Sequence, residues 1–130
     1  MSPLAPLYRF ADLLRRRHID TGARGEDLAH RYLRRKDFTV VARNWRPPQG
    51  GGEIDIVAWE RDILVFVEVK TRQNFSSAPE RAIDEDKIRA LRRAARDYLR
   101  RAAPNQEQLR FDVITISGDQ LEHMREAFPA

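Results

Sequence analysis

Residues 53–71 read EIDIVAWERDILVFVEVKT, and this stretch decides the fold. Two strand-length apolar runs, 53–59 and 63–71, flank the polar residues Glu60, Arg61 and Asp62, which reads as an antiparallel hairpin. Glu68 and Lys70 interrupt the second run, the most apolar in the chain. Residues two apart on a strand share a face, so this pair points one way while Val65, Val67 and Val69 point the other. A charge on a central strand is costly to bury without a partner, a metal or an open cleft. An even-numbered connection that pairs Glu60 with Ile63 sets Asp55 opposite Glu68 and Glu53 opposite Lys70, whereas an odd one without a bulge breaks this register. Like charges directly opposed at a Cβ separation of ~4.5–5.5 Å repel. A divalent cation between Asp55 and Glu68 relieves that repulsion, and Mg²⁺ favours one or two carboxylates together with waters and phosphate oxygens.

Outward from the hairpin, residues 21–37 read as a first core helix, because Leu28, Ala29, Tyr32 and Leu33 recur at helical spacing and basic residues fill the last turns. Residues 38–43 (FTVVAR) are β-rich, and WRPPQGGG then breaks the chain. After a flexible connection at 74–79 (NFSSAP), residues 84–102 are helical again, with Ile88, Leu91, Ala95, Tyr98 and Leu99 on one side and Arg89, Arg92, Arg93, Arg96 and Arg100 on the other. Residues 109–116 read as a strand, followed by a turn at Ser117, Gly118 and Asp119 into a weak final segment. The order α-β-β-β-α-β predicts an α/β sandwich with a mixed sheet. With 130 residues the chain suits a single core, expected over 21–130, and residues 1–20 read as an appended basic arm.

Charge alternates in blocks. Residues 1–46 hold eleven basic against five acidic residues, 47–86 four against nine, 87–110 eight against two, and 111–130 one against four. An acidic centre between basic arms suits a polyanion held against a cation-binding carboxylate cluster. Solvated arginine faces on two helices give the same pattern. With no cysteine there is neither a disulfide framework nor a Cys-based zinc site. His18, His30 and His123 are widely spaced and read as surface or boundary residues. No run approaches a membrane span and no secretory signal is evident, so a cytoplasmic protein without a membrane partner is expected.

A carboxylate pair that binds a metal beside a lysine suits phosphodiester hydrolysis. The metal polarises the ester and acidifies a water, and Lys70 positions or deprotonates that water and offsets developing charge. Of the 24 basic residues, only Lys36, Lys70 and Lys87 are lysine. Arginine is effectively never deprotonated, so a chain this biased toward it is expected to keep lysine where arginine fails. The plainer reading of Asp55, Glu68 and Lys70 is a buried salt-bridge network. Glu26 sits at the edge of the first helix's apolar stripe, where it can reach over the sheet or simply favour the helix dipole. Lys87 flanks the second helix's apolar face, either near the site or snorkelling.

In this order, GARGEDLAHRYL, ARNWR, GEIDIVAWE, VFVEVKTR and RFDVITI resemble the YraN-like family of small predicted endonucleases. That family is similar to archaeal Holliday junction resolvases and falls within the PD-(D/E)XK nuclease superfamily. The resemblance spans about residues 21–117. It implies a restriction-endonuclease-like αβββαβ core, with Asp55, Glu68 and the Val69 carbonyl as ligands of Mg²⁺ or Mn²⁺, Lys70 as the catalytic lysine and Glu26 as a helix acid near the metal. Ile54 stands where the superfamily's name has proline. Resolvases of this type are homodimers, although no dimer face is legible here. The leading expectation is an endonuclease acting on DNA, with branched DNA among the candidates, that grips its substrate through Arg72, Lys87, Arg89, Arg92, Arg93 and Arg96. A non-catalytic nucleic-acid-binding module with the same fold is the alternative, and an assembly protein a third.

Overall fold

The computed structural model describes residues 21–73 and 83–130. The expected basic arm at 1–20 and the connection at 74–79 lie outside them. Helix α1 (Thr21–Arg35) leads into strands β1 (Thr39–Trp45), β2 (Ile54–Glu60) and β3 (Ile63–Thr71). Helix α2 (Glu85–Ala102) then leads to β4 (Leu109–Ser117) and β5 (Gln120–Phe128). The strands form one sheet in the order β1-β2-β3-β4-β5. All neighbouring pairs are antiparallel except β3 with β4, which run parallel. A parallel pair needs a crossover, and α2 supplies it. This is the αβββαβ core expected, with β5 added.

Each helix covers one face. Leu28, Ala29 and Leu33 of α1 pack on Ile56, Val65, Val67, Ile114 and Ile116. Leu91, Ala94 and Ala95 of α2 pack on Val57, Leu64, Phe66, Phe111 and Val113. The alternation of Val65 and Val67 with Leu64 and Phe66 across these two clusters is the period-two pattern of a strand buried on both sides. The hairpin pairs Glu60 with Ile63 and Ile56 with Val67, the even register read from the sequence. At its tip Arg61 takes a φ of 58°.

Local chemistry sets the ends of the elements. Asp84 caps α2 by accepting the Lys87 N–H at 2.8 Å, with Glu85 and Asp86 in the first turn and Arg100 and Arg101 in the last. Asp37 closes α1 at a φ of 70°, a left-handed conformation that aspartate tolerates better than most residues. Strand β1 runs two residues past its expected end at Arg43, and a bulge between Val40 and Ala42 interrupts its pairing with β2.

The final segment is a full nine-residue strand rather than a weak one. Charged side chains anchor it. Asp112 accepts hydrogen bonds from Arg110, His123 and the Glu126 N–H at 2.8–3.0 Å, and His123 also meets Tyr32 Oη at 2.9 Å. Burial pushes the Asp112 carboxyl up, but these bonds outweigh it and hold the group at about 2. The His123 side chain turns inward to these partners while the residue as a whole is half-buried on the edge strand, the boundary position expected of it.

Candidate active site

The acidic groups gather where β2 parts from β3. The ladder between the two strands ends at Ile56 and Val67. Beyond it the Asp55 carboxylate takes the place of a ladder acceptor, receiving the Val69 N–H on Oδ2 at 2.8 Å. This fixes Asp55 in the gap between the strands. There it interacts with Glu68 and with Glu26.

Glu68 is 7% exposed and lies on the α2 side of β3, as the alternation with Val67 and Val69 requires. Its Oε2 is 3.5 Å from Lys87 Nζ, Oε1 is buried and receives no N–H, and the carboxyl shares a hydrogen bond with Asp55. Lys70, two residues on, is half-buried and its charge acts on Glu68. Lys87 therefore belongs to the site. It is carried there by the first turn of α2, in which its own N–H is the one that Asp84 caps.

Glu26 arrives from the other face. Gly25 lets α1 approach β3 closely, because a Cβ there would lie 3.0 Å from Thr71 Oγ1 and 3.8 Å from Val69 Cγ1. Glu26, Glu53 and Asp55 each present a carboxylate oxygen within 4.8 Å of the other two. Glu53 was legible in the sequence only as the residue opposite Lys70. Its place beside Glu26 follows from β2 diverging at Asp55. Arg43 stands 3.7 Å from Glu26 and pairs more closely, at 2.8 Å, with its neighbour Asp27.

Proton affinities follow this crowding. Burial, and then the charge of Glu68, raise Asp55 to about 7. Burial raises Glu68 as well, against the charge of Lys87, a hydrogen bond with Asp55 and the charge of Lys70. Burial and then Asp55 raise Glu26, partly offset by a hydrogen bond from Asn44 and the charge of Arg43. Carboxylates this close cannot all ionise without a counter-charge. A divalent cation would supply that counter-charge in place of the proton that Asp55 and Glu68 share. Among the described residues, the acids whose oxygens lie close enough together to share such an ion are Glu26, Glu53 and Asp55; Glu68, expected as Asp55's partner, stands outside that trio and meets Asp55 from the α2 side.

The expected nucleic-acid contacts divide. Arg93 and Arg96 are exposed and line a cleft beside Gly50 and Gly51. Arg89 pairs with Asp86. Arg92 is drawn to the C-terminus, donating to the Pro129 carbonyl at 2.6 Å with its guanidinium over the Phe128 ring. Arg72 follows β3, with its N–H bonded to the Ile116 carbonyl.

The spacing at Gly25 leads to a prediction for α1. Gly25→Ala should change stability little, since about 1 kcal/mol of helix propensity offsets the tight contact. Gly25→Val adds branches toward Thr71 and Val69 and should cost about 2 kcal/mol, read by urea unfolding. Wild-type stability for the Val variant would mean that α1 is not held against β3 as described.

Residues 25–116, which contain all of these acids and both lysines, match the model of "Uncharacterised protein family UPF0102". A UPF0102 protein of Solibacter usitatus is 50% identical over 128 residues, covering 94% of this chain and 97% of that one. A UPF0102 protein of Rhodococcus opacus is 42% identical over 117 residues, covering 85% and 98%. One of Porphyromonas gingivalis is 40% identical over 119 residues, covering 86% of each chain. The chain belongs to the UPF0102 family, the YraN-like family that its motifs resemble.

Proposed function

We propose that this protein is a Mg²⁺- or Mn²⁺-dependent endonuclease that hydrolyses phosphodiester bonds in DNA. The observation that carries the reading is the Asp55–Glu68 pair: a half-buried and a buried carboxyl facing one another with raised proton affinity, and Lys70 on the same strand face as Glu68. A purely structural network sets a buried carboxylate against cations and N–H donors, as Asp112 does with Arg110 and the Glu126 N–H. At the acidic site carboxyls face one another, a repulsion that an ion arriving with substrate relieves.

Asp55 and Glu68 would hold the ion, with the Asp55 carboxylate oriented by the Val69 N–H. When bound, the ion supplies Lewis-acid polarisation of the phosphate and lowers the pKa of water. Lys70 Nζ orients the attacking water and offsets the negative charge that develops on phosphorus-bound oxygen. The water oxygen forms a new P–O bond and the ester P–O bond breaks. The proton lost by the water is balanced by one gained at the departing sugar oxygen. Lys87 balances Glu68 on the α2 side, which keeps Lys70 from being Glu68's only counter-charge. DNA as substrate follows from the family resemblance and suits the exposed Arg93 and Arg96.

The test is incubation of purified protein with linear, single-stranded and four-way-junction DNA, with and without Mn²⁺. Metal-dependent scission of at least one form is expected. Binding without scission under every metal would replace this reading with that of a non-catalytic nucleic-acid-binding module.

A further inference from the structure

The cleft between the 46–52 loop and α2 has no part in the chemistry above. It holds about 280 Å³, with Gly50 and Gly51 on the loop side and Arg93, Arg96, Asp97 and Arg100 on the α2 side. The loop wall is built rather than slack. Arg46 and Glu53 join its two ends at 3.3 Å, and the Gly50 N–H bonds the Pro47 carbonyl at 2.9 Å. Gly52, at a φ of 129°, seats on α2 so closely that a Cβ would lie 3.1 Å from the Ala90 carbonyl oxygen. Gly50 and Gly51 also take positive φ, yet a Cβ at either would meet nothing. Their glycines serve the path of the chain and keep the mouth of the cleft open.

Charge on the opposite wall is unbalanced. Asp97 is buried and its carboxylate is taken by Arg100 and Arg101. Arg93 and Arg96 have no partner among the described residues, and both are exposed. Two unneutralised guanidiniums facing an open glycine wall suit a phosphate, which arginine recognises through paired N–H donors. From Lys87, the α2 residue at the acidic site, Arg93 and Arg96 lie six and nine residues along the helix. At ~1.5 Å and about 100° per residue that is roughly 9–14 Å of rise, with the two side chains turned about 120° and 180° around the helix from Lys87, roughly 13–18 Å in all. A strand rising ~3.4 Å per nucleotide covers this in about four or five steps.

We infer that this cleft is a separate phosphate subsite, which grips the backbone of the nucleic acid a few nucleotides to one side of the bond held at the acidic site. The inference rests on the nuclease reading for the identity of its ligand. Affinity then depends on a strand that extends across the cleft, and the cleft positions the substrate without touching the reacting atoms.

Binding of a labelled oligonucleotide in EDTA tests this without cleavage. The double variant Arg93→Ala/Arg96→Ala should bind about 10-fold or more weakly, and its log Kd against log salt should flatten by roughly one to two units. Gly51→Ala alters no charge but strains a φ of 95°, so it should also weaken binding. Arg31→Ala, on the helix covering the other face, should stay within about twofold of wild type. Thermal unfolding checks that each variant is folded. Inorganic phosphate, titrated as a competitor, separates the two sources of the anion: displacement only at far higher concentration than the oligonucleotide itself is expected. Unchanged oligonucleotide affinity and salt slope in the double variant overturn the subsite, as does inorganic phosphate that displaces the oligonucleotide at concentrations comparable with the oligonucleotide's own. A protein that never cleaves but loses affinity in the double variant removes the nuclease reading and leaves the subsite standing.

Discussion

Lys70→Arg is expected to lower Mn²⁺-dependent cleavage by about 100-fold or more, while leaving the fold, the metal response and DNA affinity close to wild type. Lys70 shares its strand face with Glu68, and its charge already acts on that carboxylate. Arginine preserves the charge, so electrostatic balance and attraction for a polyanion survive. Its planar fork cannot occupy the same point as an ammonium, and its proton is unavailable near neutral pH. If Lys70 only balanced buried carboxylates, arginine would substitute with little loss of rate and Lys70→Met would chiefly destabilise the protein. Lys87 sharpens the comparison, since a second cation stands 3.5 Å from Glu68 whichever residue occupies position 70. Cleavage rate, thermal stability with and without Mn²⁺, and DNA affinity measured on one preparation separate these cases.

Asp55→Asn should stabilise the metal-free protein at alkaline pH and abolish cleavage. Folded Asp55 titrates near 7, against an ordinary 3.8. Between those values the folded state keeps a proton that the unfolded chain has released. The contribution of Asp55 to stability is therefore full below about pH 4 and is lost as pH rises through about 7. Asparagine never ionises and still offers Val69 an acceptor oxygen. The variant should gain on wild type from pH 5 to pH 8, by on the order of 3 kcal/mol at about 1.4 kcal/mol per pKa unit. Mn²⁺ should reverse the order: an ion at 100 times its Kd adds about 2.7 kcal/mol to a protein that binds it. Urea unfolding of both proteins across pH, in EDTA and in Mn²⁺, reads this directly. A pH-independent difference between them would mean that Asp55 is not the strained group described.

The hairpin was legible in the sequence because its register depends only on loop parity and alternation. Glu60 opposite Ile63 leads by counting to Asp55 beside Glu68, and the structure has that register. What could not be counted is the departure of β2 from β3 at Asp55, where a carboxylate replaces a ladder bond. That break brings Glu53 to Glu26, and a perfect ladder would have kept it beside Lys70. Strand β5 was hard to see because QLEHMREAF has few apolar residues, and it is held by Asp112, Arg125 and His123 more than by a greasy face. Arg92 reads like its neighbours on α2. Its diversion to Pro129 depends on where the C-terminus returns, which no local pattern encodes.

The most direct test of the account is calorimetric titration of Mn²⁺ into wild type, Asp55→Asn and Glu68→Gln, with DNA cleavage measured on the same three samples. Wild type should bind Mn²⁺ and cleave, and each variant should lose both together. Cleavage that persists in either variant, or Mn²⁺ binding that neither substitution weakens, would contradict the assignment of Asp55 and Glu68 as the metal-holding pair.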